Sequence, residues 1–326
     1  MSWLHIDEAS DFSLQNLPYG VFSCEGRDQR IGVAVGSYAL DMKVLAENGV
    51  FSAIDFDVTT LQEENLNRYA ALGRPIHRQV RKFLQNLLDV HTSLGHLLRD
   101  NETLRNLAFL PRANINMHLP MAVGDYTDFF VVPYHAQNCT NIFRPGQSLP
   151  PAFFQQPLGY HGRASSVVIS GTPIRRPKGQ FVTEDGRSVF EPSRKLDYEV
   201  EFAAFIGQGN APGEGINVED AEDYIFGLVL LNDWSARDIQ RREAAPLGPF
   251  NGKNFSTSVS PWIVSLDALE PYRVASLPKN GPLLGYLDEK KDASVHDIPI
   301  DVQIQADSET FVVAQANAKN VVFSFA

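Results

Sequence analysis

The sequence predicts an α+β chain that is mostly β, with its helices gathered in the N-terminal third. Three observations carry this. Helical periodicity is confined to a stretch between Thr59 and Phe109. Beyond Pro120 the chain turns rich in Gly and Pro and breaks into short β-forming runs. Among these, Ile225-Phe226-Gly227-Leu228-Val229-Leu230-Leu231 has the length and composition of a strand buried on both faces. Few long helical patterns separate the later runs, so a β-rich second domain is expected rather than a doubly wound α/β sheet.

Taken in order, residues 10 to 40 read as short strands and turns, with Ile31, Val33 and Val35 alternating with Gly32, Ala34 and Gly36. Thr60-Leu61-Gln62-Glu63 offers a helix start, and Gly73 followed by Pro75 its stop. A second helix places Ile76, Val80, Phe83, Leu84, Leu87 and Leu88 on one stripe, with Arg78, Gln79, Arg81 and Lys82 opposite. A third, shorter helix covers Glu102 to Phe109. The turn-prone segment from Pro111 to Pro120 divides the chain into units 1–118 and 119–326. In the second unit, strands are expected over Ser165–Ser170, Glu199–Ile206, Tyr224–Leu231 and Ser260–Ser265, with a half-buried one over Ile300–Gln305.

The 326 residues, 44% hydrophobic and 21% charged, have the composition of an ordinary globular protein with ample material for a core. A formal net charge of −11 argues against a nucleic-acid partner, yet leaves room for an anionic substrate held by local arginines. Cys24 and Cys139 are too few and too far apart for a disulfide framework or a CxxC site, which points to a reducing compartment. The N-terminus has no basic n-region followed by a long apolar h-region, and no run approaches the ~20 apolar residues of a membrane span. A cytoplasmic location without membrane partners is expected. Walker, GxGxxG, GxSxG and HExxH signatures are absent.

The chemistry concentrates where the apolar run ends, at Asn232-Asp233-Trp234-Ser235-Ala236-Arg237-Asp238-Ile239-Gln240. Charged groups at the end of a buried strand must be paired or must bind something. On a strand, Glu199 and Glu201 point to one face, and two like charges so placed repel unless a cation neutralises them. Taken alone, that pair reads equally well as the solvated face of an edge strand. Asp233, and Asp128 beside aromatics, shift the balance toward a cage for a hard cation, Ca²⁺ or Mg²⁺, rather than zinc. His135 follows Asp128 in a loop-like stretch and is the candidate general base. A helix starting after Asp233 puts Arg237 and Gln240 on one face, where with Lys253 they could donate to an oxyanion; their plainer reading is surface polarity.

Longer stretches add a resemblance. Asn16–Phe22, Gly124–Phe129, Gly159–Ser166, Ser170–Pro177, Leu196–Glu201, Asn232–Gln240 and Pro246–Lys253 are similar, in order, to segments of the fumarylacetoacetase (fumarylacetoacetate hydrolase) family. The resemblance implies a small SH3-like β-barrel domain with helices, then a mixed β-sandwich roll domain through which the family forms homodimers. It implies Ca²⁺ or Mg²⁺ held by Asp128, Glu199, Glu201 and Asp233, with Lys253 and Thr257 at positions associated with a second, structural cation. His135 would be the base, Arg237, Gln240 and Lys253 would hold the oxyanion, and Arg144 a carboxylate of a small diketo-acid substrate. The implied reaction is metal-dependent hydrolysis of a carbon–carbon bond in fumarylacetoacetate, giving fumarate and acetoacetate, the last step of tyrosine and phenylalanine catabolism. Phe130 and Ala244 stand where the family carries substrate-contacting tyrosines. The chain ends at Ala326, where the family continues with a stretch that supplies further core strands, a glutamate that orients the base and a substrate-binding threonine. The second domain is therefore expected to be incomplete and the chain to be less stable for it. The alternatives are an acylpyruvate hydrolase or keto-acid decarboxylase built on the same cage, or a truncated, non-catalytic metal-binding relative.

Overall fold

The computed structural model describes residues 1–279 and 281–326, with Phe143 by its backbone alone. Strands β1 (Tyr19–Cys24), β2 (Arg27–Val35) and β3 (Tyr38–Asp41) form an antiparallel meander. In β2 every residue from Ile31 to Val35 is buried, so the alternation in the sequence is one of large against small side chains rather than inside against outside. Helices α1 (Met42–Glu47), α2 (Asn67–Ala70), α3 (Arg74–Leu88) and α4 (Glu102–Ala108) pack beside the sheet, and β4 (Phe109–Pro111) and β5 (Asn116–His118) return to it on β3 and β1.

The helix expected from Thr60 to Gly73 is not continuous. A short 3₁₀ turn, Val58–Gln62, is capped by Asp57, and α2 follows as a single turn. The Leu66 N–H is taken by Pro120 O (2.9 Å), which diverts the backbone before a helix can propagate. Gly73, at φ 83°, begins α3 rather than ending its predecessor, and Pro75 sits in the first turn of α3, where no intrahelical N–H is required. Along α3 the apolar stripe is as expected, but Arg81 is buried. Its guanidinium donates to the carbonyls of Asn16 (2.6 Å) and Gln15, which replace water as acceptors.

The second region carries β6 (Thr127–Phe129), helix α5 (Pro133–Phe143) and β7 (Gly159–His161), with β6 and β7 paired antiparallel. Then come β8 (Val167–Ile169), the hairpin β9 (Lys178–Val182) and β10 (Ser188–Pro192), and β11 (Leu196–Asp197). Strands β12 (Val200–Ile206) and β13 (Ile225–Asp233) follow, then β14 (Ser235–Ala236), helix α6 (Arg237–Glu243), β15 (Thr257–Val259) and β16 (Trp262–Ile263). One sheet has the order β12-β13-β15-β8, antiparallel except for β15 with β8. Of the strand expected at Ser260–Ser265, only β16 forms. It leaves this sheet and joins β1, extending the first sheet to the order β16-β1-β2-β3-β4. Among the described residues that sheet does not close into a barrel. Helix α7 (Leu266–Leu269) and the paired β17 (Arg273–Val274) and β18 (Val295–His296) precede a last ribbon, β19 (Pro299–Ala306) with β20 (Glu309–Asn317). Most of that ribbon is exposed, whereas a half-buried strand was expected at Ile300–Gln305.

In β13 the apolar run is buried as read, except for Leu230, which is exposed. Val229 and Leu231, with Val167, Val259 and Ile263, join the same core as the β1–β3 meander and α3. Gly227 permits close packing here. A Cβ at that position would lie 2.6 Å from Val264 O, and the backbones of Leu228 and Val264 exchange hydrogen bonds of 2.8 and 2.9 Å. Among the described residues no helix is long and apolar enough to cross a membrane.

Candidate active site

The carboxyl end of β13 delivers Asp233 into the interior, 1% exposed, and its N–H donates to Glu199 O (3.0 Å) at the entry to β12. On the paired strands β6 and β7, Asp128 stands directly opposite Tyr160, so both side chains project from the same face. These ladders bring Asp128, Glu201 and Asp233 together, with one carboxylate oxygen of each within 4.8 Å of the others. Three carboxylates at that spacing repel, and burial adds to the cost. Burial first, then Asp128 and Asp233, push Glu201 well above the ordinary carboxylate range. Burial also raises Asp128, and it raises Asp233 to about 7 despite Lys253. A buried all-oxygen donor set whose acids resist ionisation fits a hard divalent cation, which would remove the repulsion.

A basic group flanks the acids. Lys253, 5% exposed, donates through Nζ to Asp233 Oδ2 (2.6 Å) and to Glu199 Oε2. Its place is set by Gly252, whose N–H donates to Glu243 and whose carbonyl accepts from Ala236 N (2.7 Å). A Cβ on Gly252 would meet Gln240 N at 2.6 Å, so only glycine lets this segment lie against α6. Arg237 opens α6 and pairs with Glu199 Oε1 (2.8 Å) and Asp197 Oδ2 (2.7 Å), while its Nη1 donates to Gln240 Oε1 (3.0 Å). Burial alone would raise Glu199, but Lys253 and Arg237 hold it below the usual range. Asp238 anchors α6 by accepting from Ser193 Oγ (2.6 Å) and Arg194 N (2.7 Å).

His135 lies in the first turn of α5, not in a loop. Its Nε2 is 3.7 Å from Glu199 Oε1 and 3.5 Å from the Cys139 Sγ one turn on, and the Phe130 ring meets the imidazole edge-on at 5.5 Å. Burial depresses the imidazole pKa; Glu199 partly offsets this, and Arg237 and Lys253 reinforce it. The ring is therefore neutral around pH 7 and able to accept a proton. Asp128, Glu199, Glu201, Arg237, Gln240, Lys253 and His135 line one cleft of about 3020 Å³, and Asp233 borders a small cavity that it shares with Lys253 and Tyr160.

The family models and the curated relatives agree on one family. Residues 15–120 match the fumarylacetoacetase N-terminal model and residues 131–326 the fumarylacetoacetate (FAA) hydrolase C-terminal model. The fumarylacetoacetase of Aspergillus fumigatus is 47% identical over 336 residues, covering 99% of this chain and 78% of its own length. This chain belongs to the fumarylacetoacetase family. The fumarylacetoacetase of Emericella nidulans is 46% identical with the same coverage, and that of Oryza sativa subsp. japonica is 46% identical over 99% of this chain and 76% of its own. The chain thus spans about three quarters of the length of these relatives.

Of the residues singled out in the sequence, Asp128, Glu201, Glu199, Lys253, Arg237, Gln240, His135 and Phe130 line the cleft, and Asp233 joins them through the acid cluster and its ion pair with Lys253. Within them the expected four-acid cage divides. Glu199 stands apart from the three clustered acids, its oxygens engaged by Lys253 and Arg237. Lys253 meets the acids through its ammonium. Thr257 is buried opposite Asp233 in the β13–β15 ladder and borders a separate cavity of about 100 Å³ shared with Asp233 and Lys253. Arg144 ends α5, exposed on the cleft wall, and among the described residues it makes no ion pair with the acids. Sequence reasoning missed Tyr160, whose hydroxyl donates to Asp128 Oδ2 (2.8 Å) and lies 3.3 Å from Asp233 Oδ2, and Tyr126, 3.4 Å from Asp128 Oδ2. It also missed Asp197 as the second partner of Arg237. The available signal was that all three sit inside the matched segments Gly124–Phe129, Gly159–Ser166 and Leu196–Glu201.

Proposed function

We propose that this chain is a hydrolase that cleaves the carbon–carbon bond of fumarylacetoacetate to give fumarate and acetoacetate, closing tyrosine and phenylalanine breakdown. The observation that carries the reading is the convergence of Asp128, Glu201 and Asp233 beside Lys253, Arg237 and His135, in a member of this family. Asp128, Glu201 and Asp233, with Glu199 adjacent, would hold a Ca²⁺ or Mg²⁺ ion, which when bound supplies Lewis-acid polarisation of the diketone oxygens. Lys253 and Thr257 are assigned to a second, structural cation site, Lys253 through its backbone carbonyl because an ammonium is no ligand.

The chain's own groups then divide the work. His135 Nε2, held neutral by burial, takes a proton from water as the hydroxide adds to the carbonyl next to the bond that breaks. The tetrahedral oxyanion then collapses and the carbon–carbon bond breaks. The new carboxyl stays with the fumarate half, and the carbanion of the acetoacetate half takes up the proton held by His135. Arg237, Gln240 and Lys253 donate to the oxygen on which negative charge develops. Arg237 and Lys253 are already oriented by Glu199, so little reorganisation is required when charge appears there. Arg144 takes a substrate carboxylate at the cleft wall. Phe130 presents a ring edge where the family has a tyrosine, so it packs against His135 and gives no hydroxyl to the substrate. The units 1–118 and 119–326, a homodimer and a cytoplasmic location complete the reading.

Incubation with fumarylacetoacetate and Mg²⁺ or Ca²⁺, following loss of diketone absorbance, tests it. Metal-dependent turnover is expected. Absence of turnover with either ion, in a chain that melts cooperatively, would overturn the assignment. The relatives' names favour this reading over the acylpyruvate hydrolase, keto-acid decarboxylase and non-catalytic alternatives.

A further inference from the structure

The substrate of the proposed reaction carries a carboxylate at each end, and it must enter a chain of net charge −11 whose deepest site is a cluster of acids. Bare, that field repels a dianion, so entry requires local positive charge not already consumed by the protein. Several cations of the cleft are consumed. Arg187 pairs with Asp185 (2.6 Å), Arg194 with Glu191 (2.6 Å), and Arg237 and Lys253 with the inner acids. Arg144 accounts for one substrate carboxylate. Lys195 and two further arginines, Arg241 and Arg242 in the last turn of α6, line the same cleft, are exposed, and have no carboxylate partner among the described residues. Of these, the two arginines present guanidinium groups, which bind a carboxylate through two donors at once.

Their placement follows from helical spacing. Arg241 lies four residues after Arg237 and so on the same face of α6 as Arg237 and Gln240, one turn further out. The position four after Gln240 is Ala244, whose methyl group fills little space on that face. We propose that Arg241, supported by Arg242, forms the outer carboxylate subsite of the cleft. It attracts the dicarboxylate substrate, holds the end that Arg144 does not, and sets KM rather than the rate of bond cleavage. This rests on the function proposed above. The plainer role of the pair, neutralising the carbonyl end of α6, would affect stability and leave KM alone.

The test compares wild type with R241Q/R242Q and R241E/R242E, measuring kcat and KM for fumarylacetoacetate at fixed Mg²⁺ between about 20 and about 300 mM NaCl. Over that range the Debye length contracts from roughly 20 Å to roughly 6 Å. Binding of fumarate and of crotonate, its monocarboxylate counterpart, is measured by calorimetry on the same proteins. Arg68→Glu serves as a control, since Arg68 is exposed on the first region, pairs with Asp57 and Glu63, and does not line the cleft. Wild-type kcat/KM is expected to fall with salt. In R241E/R242E, KM should rise about ten-fold, with kcat moving far less and the salt dependence flattened or reversed. Fumarate should lose its advantage over crotonate. Unchanged KM and salt slope overturn the proposal, as does a fall in kcat at constant KM, or an equal effect of Arg68→Glu. If wild type does not turn over fumarylacetoacetate at all, the functional reading fails, and the fumarate-to-crotonate ratio still decides whether Arg241 and Arg242 bind a second carboxylate.

Discussion

Replacing Lys253 with methionine removes a buried ammonium while nearly preserving shape. In the native chain Nζ sits against both Asp233 Oδ2 (2.6 Å) and Glu199 Oε2, and the three side chains are 6%, 2% and 14% exposed. Removing one partner of a buried pair costs about 3–5 kcal/mol, because the desolvated charge left behind is uncompensated. Here Glu199 retains Arg237 at 2.8 Å, so the lower end applies, about 3 kcal/mol. That figure holds only without a divalent cation. An ion held by Asp128, Glu201 and Asp233 returns positive charge to Asp233, and at a hundred times its dissociation constant any ligand stabilises by about 2.7 kcal/mol. The variant should therefore gain more from the ion than wild type does, since it alone has lost the internal cation. Urea unfolding of both proteins, in chelator and in saturating Mg²⁺ or Ca²⁺, measures all four free energies. Turnover should fall by about 10²–10³-fold, the usual cost of one oxyanion donor. Equal stability of the two chains in chelator, or equal gains from the ion, would refute the pairing on which the site is built.

Three further outcomes are expected. His135→Ala should lower kcat by roughly 10²–10⁴-fold while cation binding, followed by calorimetry, is retained; unchanged turnover would remove His135 as the base. Asp233→Asn should weaken divalent-ion binding by on the order of ten-fold or more, because it deletes one of three charged ligands; unaltered affinity would place the ion elsewhere. Glu222 binds Arg273 through two hydrogen bonds (2.7 and 2.9 Å), with Lys291 (2.8 Å) and Arg74 (3.3 Å) also on it, joining α3 to the second region. Burial alone would raise its carboxyl, but Arg273 and Lys291 hold it down at about 2 against an ordinary 4.5. A depressed acid stabilises fully above its unfolded value, and that contribution is lost as pH falls from 4.5 through 2. Glu222→Gln should cost about 2 kcal/mol at pH 7, after allowing for solvent screening around Lys291. The gap from wild type should narrow below pH 4.5, and a gap constant down to pH 3 would contradict the linkage.

Legibility in the sequence tracked how local each cause was. The run at β13 and the stripe of α3 were readable because burial of a continuous apolar surface is written in consecutive or periodic residues. The break between Val58–Gln62 and α2 was not, since it depends on a hydrogen bond from Leu66 to Pro120, more than fifty residues away. Arg81 looked like a surface residue for the same reason, its acceptors being carbonyls of a distant loop. At the site, acids and bases announced themselves by following an apolar strand. Tyr160 did not, because its role exists only once β6 and β7 pair and set it opposite Asp128. The division of Glu199 from the other three acids was likewise invisible. Spacing puts Glu199 and Glu201 on one face, but Lys253 and Arg237, arriving from other segments, claim only the first.

The repulsion within the site also explains why so much apolar surface lies behind it. Asp128, Glu201 and Asp233 would separate if their strands could slide, because Asp128 and Asp233 raise Glu201, and Asp128 raises Asp233, on top of the effect of burial. The strand carrying Asp233 cannot yield cheaply. Val229 and Leu231, just before it, are packed in a core shared with β1, β2 and α3, and Leu228 is tied to Val264 in both directions. Moving the acids apart means opening that core, where each displaced Leu or Val side chain costs about 1.5–3 kcal/mol. The apolar half of β13 and its polar end therefore act as one device. Burial supplies the stiffness, and that stiffness keeps three acids close enough to be worth a cation's while to bridge.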